Sequence, residues 1–379
     1  MQRRTGTRRS RLGTPAAVAG LAVGLLLVAG CGFGDPVSGD DRTTVTVKSV
    51  ADIDCARTGR LPGSGSTAQA NAMSYWIRQY QQTCPPVRIA YNPVGTGGGV
   101  GQFLQGYTAF GGADSPVGTQ DPKPVDGVCP GGRAVSLPMV GVPIAVGYHI
   151  PGVKNLTLDA TTLAKVFDAR ITTWDDPAIR KLNPGVELPS LRIRPVHQSG
   201  YTGTTQNFQA YLAGAAPKAW PYQAELIWQG TESASASGSA AVASAVGSTA
   251  GSIGYFELSF AATRELRTVR IDTGAAEPVA ATEQTAAAGI AGATVVGTGK
   301  DMPLRFDYRT SVAGAYPIVL VSYEIVCDRG NRAETLPALK SFLTYVASNE
   351  GQQSLAELGC APLPESVAAE VRRVVGDLS

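Results

Sequence analysis

The sequence contains little of what metal sites and histidine-based catalysis require. Only two histidines, His149 and His197, occur in 379 residues, and neither a CxxC nor an HxxxH spacing is present. These absences argue against a bound metal ion. No GxSxG motif occurs, and neither histidine comes with a convincing nucleophile and acid, which makes a hydrolase the least favoured reading. We therefore expect no metal, no cofactor and no catalytic residue.

Charged residues are also sparse, at 16% of the chain, and their formal sum is +2. Residues 1–30 contain five arginines and no acidic residue, so the rest of the chain carries a formal charge of −3. Outside that segment no Lys/Arg cluster occurs, and we expect no nucleic-acid partner. With 44% apolar residues, 45 glycines and 25 prolines, the chain is typical of folded proteins with many turns and is long enough for two domains.

The N-terminus has the features of an export signal. Arginines precede an uncharged apolar run over residues 15–30, which is too short for a comfortable membrane span. The run ends in LVAGC, and the small residues before Cys31 resemble a bacterial lipobox, in which the cysteine is lipidated. We predict a lipoprotein signal peptide over residues 1–30, a tether over residues 31–54 and an extracytoplasmic protein anchored to the cell membrane by lipid at Cys31. A plain secretory signal is the alternative, and the export route stays open.

The five other cysteines suit the disulfides that exported proteins form. Cys327 and Cys360 both lie near the C-terminus, and we expect them to pair. Cys55 precedes a strand pattern, and Cys84 ends the helical pattern that follows it. Because that helix would run back antiparallel to the strand, the two ends should meet and form a second bond. Cys129 would then be free.

Three times along the chain, a turn rich in glycine and hydroxyl groups leads into a helical pattern. The turns lie within GSGSTAQ, VGTGGGVGQF and SGYTGTT, at residues 63–69, 94–103 and 199–205. The first amides of a helix lack intrahelical partners and carry partial positive charge, so such a turn can hold an anion. A single turn of this kind is more often an ordinary helix cap. Three of them can meet in one crevice of an α/β sheet, because the carboxyl ends of parallel strands share one edge.

Two long β-type runs, at residues 134–150 and 315–327, flank a middle section with its own helices and strands. This order is typical of two domains joined by two crossing strands. We predict one domain from residues 55–145 and 315–379, and the other from residues 146–314. The Ala- and Ser-rich residues 231–251 fit a flexible linker or, with better support from the valine spacing, a short helix.

Together these segments resemble the phosphate-binding proteins of bacterial high-affinity phosphate ABC transporters, in their actinobacterial form. The resemblance runs from about Leu61 to Val375 and is carried by the turns above and by FGGADSP, ITTWDDPAIRKLNPGVELP, GSIGYFELSFA and AYPIVLVSYEIV. It implies an α/β, two-domain, type II periplasmic-binding-protein-like fold with two hinge strand crossings. It also implies a non-enzymatic lipoprotein that captures inorganic phosphate between its domains and delivers it to the permease subunits of an ABC transporter.

The resemblance further implies which residues hold the anion. A carboxylate at Asp114 can accept the hydrogen of hydrogen phosphate, whereas sulfate has none to offer. The alternative for Asp114 is a turn residue that bonds to its own backbone. Ala68 would contribute only its backbone amide. The complete implied set is Ser66, Thr67, Ala68, Thr96, Asp114, Thr202, Gly203 and Thr204.

One departure from the family pattern affects this site. The family's arginine and its partner aspartate fall on Gln198 and Gly200, so both charged residues are missing, and Tyr201 replaces a glycine. Gln198 is the candidate substitute, through its amide. The affinity and the preferred oxyanion depend on this change, so binding of another oxyanion, or a surface module without a transport role, are the alternative functions.

Overall fold

The structure is a computed structural model that describes residues 53–117 and 128–379. The predicted signal peptide, the lipidation site at Cys31 and nearly all of the predicted tether lie outside the described residues. The strands are β1 Gly59–Gly65, β2 Val87–Pro93, β3 Phe110–Ala113, β4 Ala134–Tyr148, β5 Thr157–Asp159, β6 Arg194–Gln198, β7 Ala234–Ala236, β8 Ser252–Glu257, β9 Arg267–Thr268, β10 Arg270–Asp272, β11 Thr294–Val295, β12 Leu304–Arg305 and β13 Val319–Cys327.

The helices alternate with these strands over most of the described chain. They are α1 Ala70–Thr83, α2 Thr96–Leu104, α3 Ala160–Phe167, α4 Pro177–Leu182, α5 Gly203–Ala215, α6 Gly238–Ser248, α7 Leu258–Ala262, α8 Glu283–Ala291, α9 Leu336–Val346, α10 Asn349–Gln353 and α11 Glu365–Gly376. Within the described residues, no helix is both long enough and apolar enough to span a membrane.

The main sheet has the strand order β2-β1-β3-β13-β4-β8-β6-β7, with β9 also paired to β4. Strands β1, β2 and β3 are parallel at one end, and β6, β7 and β8 are parallel at the other. Between these two sets lie β13 and β4, which are antiparallel to their neighbours. This arrangement confirms the predicted α/β, type II periplasmic-binding-protein-like fold.

Strand β4 passes from one parallel set to the other. Residues 134–143 pair with β13, whereas residues 144–148 pair with β8. All of its residues after the first are buried, which explains why the sequence is continuously apolar here instead of alternating. It is therefore the first of the two predicted crossings, and the second long run contains β13. The residue limits proposed for the two domains remain a prediction.

Helix α1 begins at Ala70, four residues after Ser66 and three after Thr67, the two predicted starts. The backbone amide of Ser66 donates to the carbonyl of Gly112 at 2.9 Å, so this residue is still held by the sheet. The apolar face predicted for α1 is confirmed, since Ala72, Trp76 and Tyr80 are all buried. The helical alternative for residues 231–251 is also confirmed, because α6 lies within them.

The disulfide predictions are partly confirmed. Cys55 is bonded to Cys84, as expected from the meeting of the strand and helix ends. The prediction that Cys327 pairs with Cys360 is wrong, as is the prediction that Cys129 is free. Cys327 is bonded to Cys129 across 198 residues of sequence, and Cys360 is a free, buried cysteine.

Strand register explains this different pairing. Cys327 ends β13 opposite Ala134, the first residue of β4, so Cys129 lies a few residues before the point of contact. Ala361, next to the free cysteine, instead bridges to Gly141 in the middle of β4. At roughly 3.3 Å per residue, these two points on β4 are about 23 Å apart, which is too far for a disulfide.

Candidate functional site

The predicted glycine- and hydroxyl-rich turns lie around one cavity of about 450 Å³. Each part of its wall follows the carboxyl end of a parallel strand: β1, β2 and β3 on one side, and β6, β7 and β8 on the other. The starts of α2, α5 and α6 therefore face the same space. Most of the wall consists of small or hydroxyl-bearing residues, which are Thr67, Gly95, Thr96, Ser199, Thr202, Gly203, Thr204, Ser237, Gly238, Ser239 and Ala240.

Asp114 is a buried carboxylate fixed in the wall of this cavity. It follows β3, and its carboxylate accepts hydrogen bonds from Ser322 Oγ at 2.6 Å, from Thr96 Oγ1 at 3.1 Å and from Ser66 Oγ. Burial raises its pKa to about 6, and the charge of Glu257 adds to the rise, whereas the hydroxyl donors oppose it. Well above pH 6, the Asp114 carboxylate is therefore ionised, and its hydrogen bonds fix its orientation in the cavity wall.

The structure brings most of the predicted site residues to the cavity wall and leaves two behind it. Six of them line the wall, namely Thr67, Thr96, Asp114, Thr202, Gly203 and Thr204. Ser66 is fully buried behind Asp114, and its Oγ also accepts from the backbone amide of Ala68 at 3.1 Å. Ser66 and Ala68 do not line the cavity. Their contacts fix the carboxylate in place.

Gln198 lines the cavity at the end of β6 and is 2% exposed. Its side-chain Nε2 donates to Ser239 Oγ at 2.6 Å, and its backbone amide donates to Tyr255 Oη at 3.2 Å. The amide therefore orients a hydroxyl at the start of α6. Gly200 lies two residues on, with a φ of 84°, a value that disfavours a side chain.

Sequence reasoning missed two parts of the site. The first is the start of α6, at Ser237, Gly238 and Ser239, which repeats the pattern of a small, hydroxyl-rich turn before a helix. The sequence SASGSAA contains that pattern, but its composition by itself predicts only a linker or a short helix. The second is Glu257, which ends β8, is 4% exposed and accepts a hydrogen bond from Thr204 Oγ1 at 2.5 Å. The motif GSIGYFELSFA contains it, without marking it as a cavity residue.

No lysine, arginine or histidine from residues 53–117 or 128–379 lines this cavity. In the same part of the chain, no cluster of three or more His, Cys, Asp and Glu side chains is placed to hold a metal ion. The groups left to attract an anion are the amides at the helix N-termini, which lack intrahelical partners and carry partial positive charge. The arrangement suits a small anion that also carries a hydrogen for a carboxylate to accept.

Comparison with known proteins agrees with this geometry. Residues 51–350 match the PBP superfamily domain. The chain is 39% identical over 367 residues to phosphate-binding protein PstS 3 of Mycobacterium tuberculosis, covering 96% of this chain and 98% of that protein. PstS 2 of the same organism is 39% identical over 369 residues, with the same coverage. A solved phosphate-binding protein from Stenotrophomonas maltophilia shares the fold, with a TM-score of 0.62 and 16% identity over 83% of this chain and 93% of that one. This chain therefore belongs to the phosphate-binding protein family within the PBP superfamily, as its motifs predict.

Proposed function

We propose that this protein captures inorganic phosphate in the cavity and delivers it to the permease subunits of a phosphate ABC transporter. The observation that carries the proposal is a buried carboxylate, Asp114, held by three hydroxyls beside the starts of α2, α5 and α6. The cellular setting is part of the same proposal: an extracytoplasmic protein anchored to the cell membrane through lipid at Cys31.

The chemistry of the wall favours phosphate over sulfate. Helix-start amides can donate to the oxygens of either anion. A protonated phosphate oxygen can donate in turn to Asp114, which forms a short, charge-assisted hydrogen bond. Sulfate has no hydrogen near neutral pH, so one of its oxygens would face the carboxylate unpaired in a buried site.

Capture would involve the approach of the two predicted domains. Parts of the cavity follow strands from both parallel sets, and β4 connects these sets. A ligand that bonds to both sides favours the closed state, as in hinge-closing binding proteins. Binding is the proposed role in place of catalysis, because no histidine or lysine of the described residues lines the cavity to activate a hydroxyl.

The substitution Asp114→Asn tests the proposal directly. We expect phosphate affinity to fall about ten- to a hundredfold, the equivalent of one charged hydrogen bond, and sulfate binding to become measurable because the amide can donate. Isothermal titration calorimetry with phosphate and with sulfate measures both effects. Asp307→Asn, at an exposed position away from the cavity, is the matched control. Sulfate that stays undetectable in the Asp114 variant would show that this carboxylate is not the selector, and a parent that binds no phosphate would favour another oxyanion.

The substitution Gln198→Arg tests the departure from the family pattern. We expect phosphate to bind about tenfold more tightly, because the guanidinium adds a full charge and a fork of donors to a cavity without a cation. Gln198→Lys, which has the charge without the fork, is the matched comparison and should gain less. Adding Gly200→Asp supplies the family's partner for the guanidinium, but strains a backbone with a φ of 84°. Equal affinities for the parent and the arginine variant would mean that existing donors already fill this role.

A further inference from the structure

The cavity wall contains two carboxylates and no cationic side chain among the described residues. Asp114 and Glu257 are both at most 4% exposed, and both line the wall. A single carboxylate is enough to accept the hydrogen of hydrogen phosphate. The second one needs a different explanation, because an ionised carboxylate in a dry anion site would repel the ligand.

Glu257 has a free acceptor atom at the cavity. Its Oε1 accepts from Thr204 Oγ1, whereas its Oε2 has no hydrogen-bond partner among residues 53–117 and 128–379. When a bound ligand cuts such an oxygen off from water, the oxygen is unfavourably placed unless the ligand supplies a donor. The only hydrogens that a phosphate ion can supply are its own hydroxyl hydrogens.

A charge balance leads to the same conclusion. Each helix N-terminus carries about half a positive charge, so the starts of α2, α5 and α6 together contribute roughly +1.5. Asp114 and Glu257 contribute −2 when both carboxylates are ionised. A doubly charged phosphate would therefore enter a wall that is already slightly negative, whereas a singly charged phosphate brings less charge and two hydrogens.

We propose that Glu257 is a second hydrogen-bond acceptor for the ligand, so that the cavity takes phosphate as the singly charged dihydrogen form. This inference rests on the proposed function, namely that the cavity binds phosphate. One phosphate hydroxyl donates to Asp114 and the other to Glu257. Where hydrogen phosphate dominates in solution, one proton enters from solvent for each ion bound.

Other titratable groups lie near these two carboxylates. These groups are Tyr91 on β2, Tyr255 on β8, which also contains Glu257, Glu324 on β13 and the thiol of Cys360. Burial raises the pKa of all four, which favours their neutral forms, and none of the four lines the cavity. The charge of Glu283 also acts on that thiol.

Proton uptake on binding tests the inference in the unmodified protein. Phosphate is titrated by calorimetry at roughly pH 8.5 in buffers that differ in ionisation enthalpy, and the slope gives the protons taken up per ion. We expect a value near one. The apparent affinity for total phosphate should also fall about tenfold for each pH unit above the second ionisation of phosphate, since the singly charged fraction falls by that factor.

The substitution Glu257→Gln should remove both effects. Without the second charge, hydrogen phosphate can bind as it is, so proton uptake should fall close to zero and the decrease in affinity with pH should flatten. Glu277→Gln, at an exposed glutamate outside the cavity, should behave like the parent. If the Glu257 variant does not fold, the proton count and pH slope of the parent decide the question.

The outcomes separate this inference from the proposed function. Phosphate binding without proton uptake, or uptake that persists unchanged in the Glu257 variant, would overturn the role of Glu257 and leave phosphate as the ligand. No phosphate binding by the parent at any pH would overturn the proposed function itself.

Discussion

Replacing Gly203 with alanine is expected to weaken phosphate binding about ten- to a hundredfold. A Cβ at this position would lie 2.3 Å from the Cβ of Asp114 and 2.6 Å from its Oδ2. Asp114 cannot move to relieve this clash, because three hydroxyls hold its carboxylate and Asn207 Nδ2 donates to its backbone carbonyl at 2.7 Å. Overpacking of this kind typically destabilises the packed conformation by about 1–3 kcal/mol. Because this conformation is the one that holds the ligand, each 1.4 kcal/mol or so lowers the affinity about tenfold.

The measurement for Gly203→Ala is calorimetric titration with phosphate, alongside thermal unfolding to confirm that the variant folds. Gly101→Ala is the matched control, since a Cβ there meets nothing within 4 Å and alanine suits the interior of α2. Parental affinity in the Gly203 variant would mean that the start of α5 and Asp114 do not approach this closely in the bound state.

Removing the bond between Cys129 and Cys327 is expected to lower the free energy of unfolding by about 5 kcal/mol. The bond closes a loop with a sequence separation of 198, and the chain-entropy relation makes a disulfide more stabilising as the loop lengthens. The bond between Cys55 and Cys84 spans a separation of only 29, for which the same relation predicts about 3.5 kcal/mol. The two double serine variants therefore form a matched pair.

Denaturant unfolding of both double variants without reductant measures this difference. We expect the Cys129→Ser, Cys327→Ser protein to unfold at the lower denaturant concentration. The reverse order would show that local packing around each bond, and not loop length, determines its contribution. A single shared midpoint with the parent would mean that neither bond constrains the unfolded chain.

Local sequence was enough to predict those parts of the site that depend only on residues within one segment. A glycine- and hydroxyl-rich turn before an apolar helical pattern predicts a helix start wherever it folds, as at Thr96 and Gly203. The position of Asp114 directly after a short strand, together with the family motifs, identified the carboxylate that the structure places in the cavity wall. These features depend on residues only a few positions apart.

Which of these segments meet depends on contacts between residues far apart in the sequence. The partner of Cys327 follows from the register of β13 against β4, and spacing along the chain cannot give that register. Glu257 and the start of α6 join the site because β8, β6 and β7 are parallel neighbours whose carboxyl ends share an edge. Strand order and register are set by packing between distant residues. For that reason the sequence alone identified the turns at the helix starts and the carboxylate of Asp114, while the fold placed Glu257 beside them and paired Cys129 with Cys327.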